Sequence, residues 1–600
     1  MPDDYKKTLN LPQTDFPMRA NLAKREPEFL QMWKDMDIYG KLMSQATEKP
    51  LFILHDGPPY ANANIHIGTA FNKILKDFIP KYKWMRGYRA PYIPGWDTHG
   101  LPIELRVLRE EGATKESMDP VVLRSKCTDY ARRFIDIQRE EFKRLGVLGD
   151  WENPYVTFEP EYEAAQLGAF ADMVEKGFVY KGFKTVYWCT DCQTALAAAE
   201  IEYEDETSPS IYVAYPMPTA GDRFNALSGR DVSVIIWTTT PWTLPASMAV
   251  ALQVDYEYVF VPAGEKVYLL AAELLPSVEK ETGIAFGDPI LRCRGKELEG
   301  LMAVHPFYGE RNVPLVLADY VTLDSGTGCV HTAPGHGVED FETGIRYGLE
   351  IYNPVDPKGR FLPETPLVGG LTLEEGSERV FAILSENGRL LGRGKILHSY
   401  PHCWRCKKPI IFRATEQWFV AVSDFRKEAL AAIDRVEWIP DWGKERISNM
   451  VRDRSDWCIS RQRVWGVPIP AFYCDDCGEL ILTPDRIRAV QEKVRLNGSN
   501  TWWKATPKEL LGDRAVCDKC GSARLRKETD IMDVWFDSGS SHLAVLETRP
   551  ELSWPADLYL EGSDQHRGWF QTSLLNAVAT RGDAPYRAVL THGFIVDGEG

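Results

Sequence analysis

The chain is 600 residues long, 44% hydrophobic and 26% charged. That is ordinary globular composition, with length for about four domains of ~150 residues. No apolar run approaches the ~20 residues that cross a bilayer, and residues 1–20 are polar with scattered charges, so neither a membrane-spanning chain nor a secretory signal is expected. A formal net charge of -16 disfavours a surface that grips nucleic acid throughout, while leaving room for a local basic groove.

Residues 1–50 read as a charged, helical N-terminal arm. An apolar run of strand length, 51–55, is followed by a Gly/Pro-rich loop over 56–68. Ile67, Phe71, Ile74, Leu75, Phe78 and Tyr82 then recur at helical spacing, which predicts a helix with an apolar stripe. Residues 89–93 read as the next strand, running into Gly95-Trp96-Asp97. Strand, loop, helix and strand make a βαβ unit, so 51–200 is expected to hold a parallel α/β sheet.

The texture changes over 201–395, where short β-rich runs at 232–237, 256–261 and 315–317 alternate with turns and predict a separate β-rich domain. Residues 396–470 return toward the first domain, and 471–525 form a cysteine-marked insertion. The α/β texture resumes over 526–600, with a strand at 557–561 that ends in Gly562-Ser563-Asp564. There is no internal repeat and no low-complexity tract.

Of 12 cysteines, eight form four C-x-x-C pairs: Cys189/Cys192, Cys403/Cys406, Cys474/Cys477 and Cys517/Cys520. Without a signal peptide these read as metal sites in a reducing compartment, the cytoplasm, rather than as disulfides. Two such knuckles supply four thiolates, a closed tetrahedral site that suits structural zinc and leaves no position open for catalysis. The last two pairs, about 40 residues apart, form the local combination. The first two flank the β-rich segment, and joining them would clip its ingoing and outgoing strands together.

A Gly/Pro-rich turn that opens a helix presents free backbone N–H groups and the positive helix end, a seat for an anion such as a nucleotide phosphate. His66 and Gly68 stand at that start. Spacing alone leaves an ordinary capped turn open as the alternative. No G-x-G-x-x-G follows the first strand, which disfavours a simple dinucleotide oxidoreductase.

Asp56-Gly57-Pro58-Pro59-Tyr60-Ala61-Asn62 with His66-Ile67-Gly68-Thr69 resembles the ATP-binding motif of the class I aminoacyl-tRNA synthetases. Gly95-Trp96-Asp97-Thr98-His99-Gly100-Leu101-Pro102 is similar to the next block of the bacterial-type isoleucine-specific branch. Asp456-Trp457-Cys458-Ile459-Ser460-Arg461-Gln462-Arg463, Asp533-Val534-Trp535-Phe536-Asp537-Ser538-Gly539 and Glu561-Gly562-Ser563-Asp564-Gln565-His566-Arg567-Gly568-Trp569 complete a series of five blocks in family order. The resemblance implies an α/β, split Rossmann-like catalytic fold that carries a large β-rich editing insertion and a zinc-knuckle insertion.

It also implies a ligase that activates L-isoleucine with ATP and magnesium, charges tRNA(Ile), edits valyl-tRNA(Ile) and works as a monomer. A valine- or leucine-specific sister, or an editing-only tRNA-binding factor, is the alternative. His66, Gly68 and Thr69 would handle the ATP phosphates, with Thr69 standing where the family usually has histidine. Asp97 would hold the substrate ammonium, Pro58, Trp535 and Trp569 would wall the side-chain pocket, and Glu561 and Gln565 would contact the adenylate.

Trp237-Thr238-Thr239-Thr240-Pro241-Trp242-Thr243 and the string from Gly326-Thr327-Gly328 through His331 to His336-Gly337 resemble the family's editing site. By that resemblance Asp340 would bind the ammonium of a mischarged ester. Thr238, Thr239, Thr240, Thr243 and His331 would hold the ester and its water, and Ser247 stands where asparagine is expected. The family's Lys-Met-Ser-Lys-Ser loop would be expected directly after Gly600.

Overall fold

The computed structural model describes residues 8–15, 19–45 and 48–598, so parts of the expected arm (1–7, 16–18, 46–47) and residues 599–600 lie outside the described residues. Two helices, Leu22–Asp35 and Ile38–Ser44, make up the arm; Tyr39 packs edge-on against Trp84 and donates to the Tyr92 carbonyl at 3.2 Å.

At the centre is a four-stranded parallel sheet in the order Leu54–His55, Ala556–Gly562, Tyr586–His592, Glu437–Ile439. Leu54 pairs with Leu558 and His55 with Tyr559, so the two ends of the chain close one sheet across some 500 residues of intervening sequence. Its three strands Leu54–His55, Ala556–Gly562 and Tyr586–His592 are largely apolar and buried, as a parallel sheet covered on both faces requires, while the edge strand Glu437–Ile439 buries only Trp438. The helix Trp569–Arg581 is buried on every side over its first twelve residues, and its apolar and small polar residues pack into the main core.

The helix Ile67–Met85 forms where expected, but it buries the opposite face. Ile67, Phe78 and Tyr82 are exposed, whereas Ala70, Lys73, Lys76, Asp77 and Pro80 turn inward. Ion pairing is the cause: Lys73 and Lys76 both reach the buried carboxylate of Asp56, and Lys76 also meets Glu561 at 2.5 Å. The strand expected over 89–93 is reduced to a parallel bridge between Leu51 and Arg89. The regular strand is Gly95–Trp96, parallel to Tyr155–Val156.

The expected β-rich segment holds a six-stranded and a four-stranded sheet. The runs at 232–237, 256–261 and 315–317 fall on Asp231–Thr238, Glu257–Ala263 and Asn312–Leu317, the second missing Tyr256. Its ingoing strand Ile201–Pro216 and outgoing strand Leu390–Cys403 pair antiparallel from Ile201↔Cys403 to Val213↔Leu390, a long ribbon rising from the body. At its foot the loop 333–337 docks on the body. Ala414 N donates to the Gly335 carbonyl, and Thr185 Oγ1 to that of Pro334, both at 2.8 Å.

Among the described residues no helix is long and apolar enough to cross a membrane.

Candidate active sites

The first cavity, about 350 Å³, opens over the sheet where the chain's two ends meet. Each residue expected to serve activation lines it: Pro58, His66, Gly68, Thr69, Asp97, Trp535, Glu561, Gln565 and Trp569. They arrive from five places: the loop after Leu54–His55, the start of the helix Ile67–Met85, the end of Gly95–Trp96, the short helix Val534–Gly539, and the end of the strand Ala556–Gly562 with the segment that follows it.

His66 corrects the picture of bare N–H groups at the helix start. Its Nδ1 accepts from Gly68 N at 3.1 Å and Thr69 N at 3.4 Å, so the imidazole is the helix cap. Backbone donors on Nδ1 leave Nε2 to carry the hydrogen, and the exposed ring offers that N–H to an incoming anion. Of the two alternatives in the sequence, the capped turn is the one the structure holds, with the ring free to face the cavity.

Asp97 is buried and accepts from Thr98 N at 2.9 Å and Thr157 Oγ1 at 3.3 Å. Burial, and then the neighbouring Asp537, hold its carboxyl well above the usual range. Asp537 is occupied by His99 Nδ1 at 2.7 Å and Gln166 Nε2 at 2.6 Å. A carboxyl without a cation, set beside a second acid, suits a ligand ammonium.

Glu561 shares its carboxylate between Lys76 and Asn72, the latter at 2.8 Å, and burial raises its pKa. A Cβ on Gly57 would collide with that carboxylate and lie 2.9 Å from the Trp569 ring, so only glycine lets the loop approach here. Trp569 is both wall and core: it lines the cavity, stacks on Tyr559 at 4.0 Å and donates to the Ser538 carbonyl at 3.0 Å. Gln565 spends its Oε1 capping Trp569 N at 2.9 Å. Trp535 is half-buried, with its Nε1–H unpartnered.

Sequence reasoning missed Asn72, Lys73, Trp404, Arg405 and His592, which also line this cavity. The inward lysines have no distinguishing spacing, since they alternate with a more apolar exposed stripe. Trp404 and Arg405 had a signal that was passed over, two bulky residues inside a C-x-x-C knuckle.

A second cavity, about 320 Å³, lies in the β-rich segment and gathers Thr238, Thr239, Thr240, Thr243, His331 and Asp340. Thr240 N donates to Thr238 Oγ1 at 3.1 Å, Thr243 Oγ1 donates to the Thr240 carbonyl at 2.8 Å, and Thr243 Oγ1 lies 3.2 Å from His331 Nε2. Asp340 accepts from Ala333 N at 2.8 Å and Tyr320 OH at 3.1 Å, and burial lifts it to about 6. Burial lowers His331 and His336 to about 4, so both rings are neutral at physiological pH. Ser247 is fully buried with its hydroxyl on Tyr215 at 3.1 Å, and it does not line the cavity. Tyr320, Thr327 and His336, which do, were not assigned from sequence.

Two four-cysteine groups assemble as the pairs suggested: Cys189, Cys192, Cys403, Cys406 and Cys474, Cys477, Cys517, Cys520, with all ligand sulfurs of a group within 4.8 Å of one another. Four sulfurs around a tetrahedral zinc at ~2.3 Å stand ~3.8 Å apart, so the spacing fits. The contacts Cys189–Cys406 at 3.5 Å, Cys474–Cys520 at 3.5 Å and Cys477–Cys517 at 3.6 Å agree.

The family profile described as tRNA synthetases class I (I, L, M and V) matches residues 28–600. The chain belongs to the class I aminoacyl-tRNA synthetases. Its relatives include the isoleucine--tRNA ligases of Moorella thermoacetica, 58% identical over 597 residues, and Caldanaerobacter subterraneus subsp. tengcongensis, 57% identical over 599 residues. That of Carboxydothermus hydrogenoformans is 55% identical over 605. In each case 100% of this chain is covered and 64% of the relative, so this class I chain spans about two thirds of the length of the proteins it matches.

Proposed function

We propose that the first cavity activates L-isoleucine with ATP to isoleucyl-adenylate and passes it to tRNA(Ile), and that the second, in residues 201–395, hydrolyses valyl-tRNA(Ile). The observation that carries this reading is the convergence of four of the five distant sequence blocks on one cavity, with the threonine and histidine strings converging on another. Relatives named isoleucine--tRNA ligase at 55–58% identity favour isoleucine over valine or leucine.

The substrate carboxylate is its own nucleophile in adenylate formation, so the protein needs no serine, cysteine or acid–base dyad. Its task is to position substrates and to offset developing phosphate charge. Asp97 holds the isoleucine ammonium, Pro58, Trp535 and Trp569 bound the side chain, Glu561 and Gln565 meet the adenylate, and His66, with Gly68 and Thr69 at the helix start, faces the triphosphate and its magnesium. Thr69 supplies a hydroxyl where histidine would supply a longer donor. In the second cavity Asp340 holds the ester's ammonium, while the threonine hydroxyls and neutral His331 orient ester and water. Each cysteine group would hold a zinc ion, which supplies cross-linking and no catalysis. Thiolate sites of this kind suit a reducing cytoplasm, and the enzyme is read as a monomer.

An apolar pocket rejects a substrate short of one methylene by only about 1–3 kcal/mol, or 10–200-fold, and isoleucyl-tRNA synthetases are the standard illustration of that limit. A second, hydrolytic cavity is the expected complement. Titration of the purified protein with the twenty amino acids tests the assignment. Isoleucine should bind tightest, with valine weaker by roughly 10–200-fold. Equal affinity for leucine, or a preference for valine, would overturn it.

A further inference from the structure

Cys403 and Cys406 enclose Trp404 and Arg405, so the first cysteine group projects both into the synthetic cavity. The Arg405 guanidinium lies 3.8 Å from the Trp404 ring centroid and 5.7 Å from that of Tyr60. It makes no hydrogen bond or ion pair with any described residue, and its Nε and Trp404 Nε1 are both buried without a partner. The buried lysines at this cavity are committed, Lys73 to Asp56 and Lys76 to Asp56 and Glu561. A partly desolvated guanidinium left without an acceptor is costly unless a ligand supplies one, and its flat fork suits phosphate.

We propose that Arg405, with Trp404 beside it, binds a phosphate of the single-stranded 3′ end of tRNA as that end enters the synthetic cavity, an inference that rests on the reading of this cavity as the site of activation and transfer. Two placements favour tRNA phosphate over the ATP triphosphate. Arg405 stands by Tyr60, whose backbone pairs with Asp97 at the end assigned to the amino acid, whereas the triphosphate is assigned to the start of the helix Ile67–Met85. An aromatic ring stacked with a guanidinium is also the combination by which proteins hold unpaired nucleotides, the ring taking a base and the cation the backbone. Cys403 further pairs with Ile201 at the foot of the ribbon that carries the second cavity, so the pair stands at the root of the connection between the two cavities.

Arg405→Ala and Arg405→Lys, compared in the full-length protein, test this through two rates. One is isoleucine-dependent pyrophosphate exchange without tRNA; the other is isoleucyl transfer to tRNA(Ile) across a range of salt. In the Ala variant the loss in transfer should exceed the loss in exchange by at least about ten-fold, the scale of one charge-assisted contact. The plot of log KM for tRNA against log salt should flatten by ~0.7, the share of one single-strand phosphate. The Lys variant should keep the wild-type slope and recover part of the loss. Unaltered metal content in both shows the knuckle intact. Equal losses in exchange and transfer would assign Arg405 to the adenylate step and overturn the proposal, as would no loss in either or an unchanged slope in the Ala variant. A wild-type protein that exchanges with a different amino acid refutes the isoleucine reading instead, and the same comparison made with that amino acid still decides Arg405.

Discussion

Asp97 is the acid on which the first cavity's electrostatics turn, because it makes no ion pair among the described residues and Asp537 lies behind it. Its raised pKa has a direct consequence. An ammonium binds the ionised carboxyl, so isoleucine arrival should expel a proton at any pH below the raised pKa of Asp97, and affinity should rise with pH toward it. Calorimetry in buffers of differing ionisation enthalpy measures the proton, and Asp97→Asn should remove both its release and the binding. Proton release surviving in that variant would place the titrating group elsewhere. Asp340 follows the same sign with a value attached. It is neutral below about 6 and ionised above it, so hydrolysis of valyl-tRNA should climb as pH passes through about 6. A hydrolysis rate flat from pH 5 to 7 would contradict its role. Asp97 stands in a motif string and Asp340 just beyond one, so the sequence singled both out, and each lines a cavity in the structure. The two lysines were not, since their inward orientation depends on Asp56 and Glu561 elsewhere in the chain, and Arg405 had only its place inside a C-x-x-C knuckle to mark it.

At the scale of elements, the helix Ile67–Met85 shows what periodicity cannot see. Its apolar stripe fixes a helix of the right extent, yet the buried face is chosen by the ion pairs of Lys73 and Lys76 with Asp56 and Glu561. Removing one member of a buried ionic group leaves the others uncompensated at about 3–5 kcal/mol. Lys76→Met should therefore lower the unfolding midpoint in urea markedly, whereas Ile67→Ser, on the exposed face, should change it little. Equal effects would mean that the ionic face does not hold the helix. The cysteine knuckles were the most legible elements, because C-x-x-C places two sulfurs on one turn whatever the surrounding fold. Their pairing into two groups predicts close to two zinc ions per chain by metal analysis. A stoichiometry near zero, with eight freely titratable thiols, would contradict it. Strand bounds were less legible: 89–93 is apolar enough for a strand, but pairing comes only at Leu51↔Arg89 and then at Gly95–Trp96.

Across the whole molecule, the parallel sheet joins residues 54–55 to 556–562, a pairing that no local pattern encodes. Sequence order supplied the α/β texture at both ends and the β-rich texture between them. Closure of the two ends into one sheet, with a cavity over the seam, is a tertiary fact. The second cavity stands on a ribbon of its own, tied back to the body through the loop 333–337. Separate cavities on one chain should fail separately. Isoleucine-dependent pyrophosphate exchange, measured for the full-length protein and for its Asp97→Asn and Asp340→Ala variants, tests it most directly. Exchange should be driven by isoleucine far more than by leucine, abolished by Asp97→Asn and retained by Asp340→Ala, whose lesion should appear only in valyl-tRNA hydrolysis. Exchange driven equally by leucine, or lost in Asp340→Ala while Asp97→Asn keeps it, would contradict the assignment of chemistry to the two cavities.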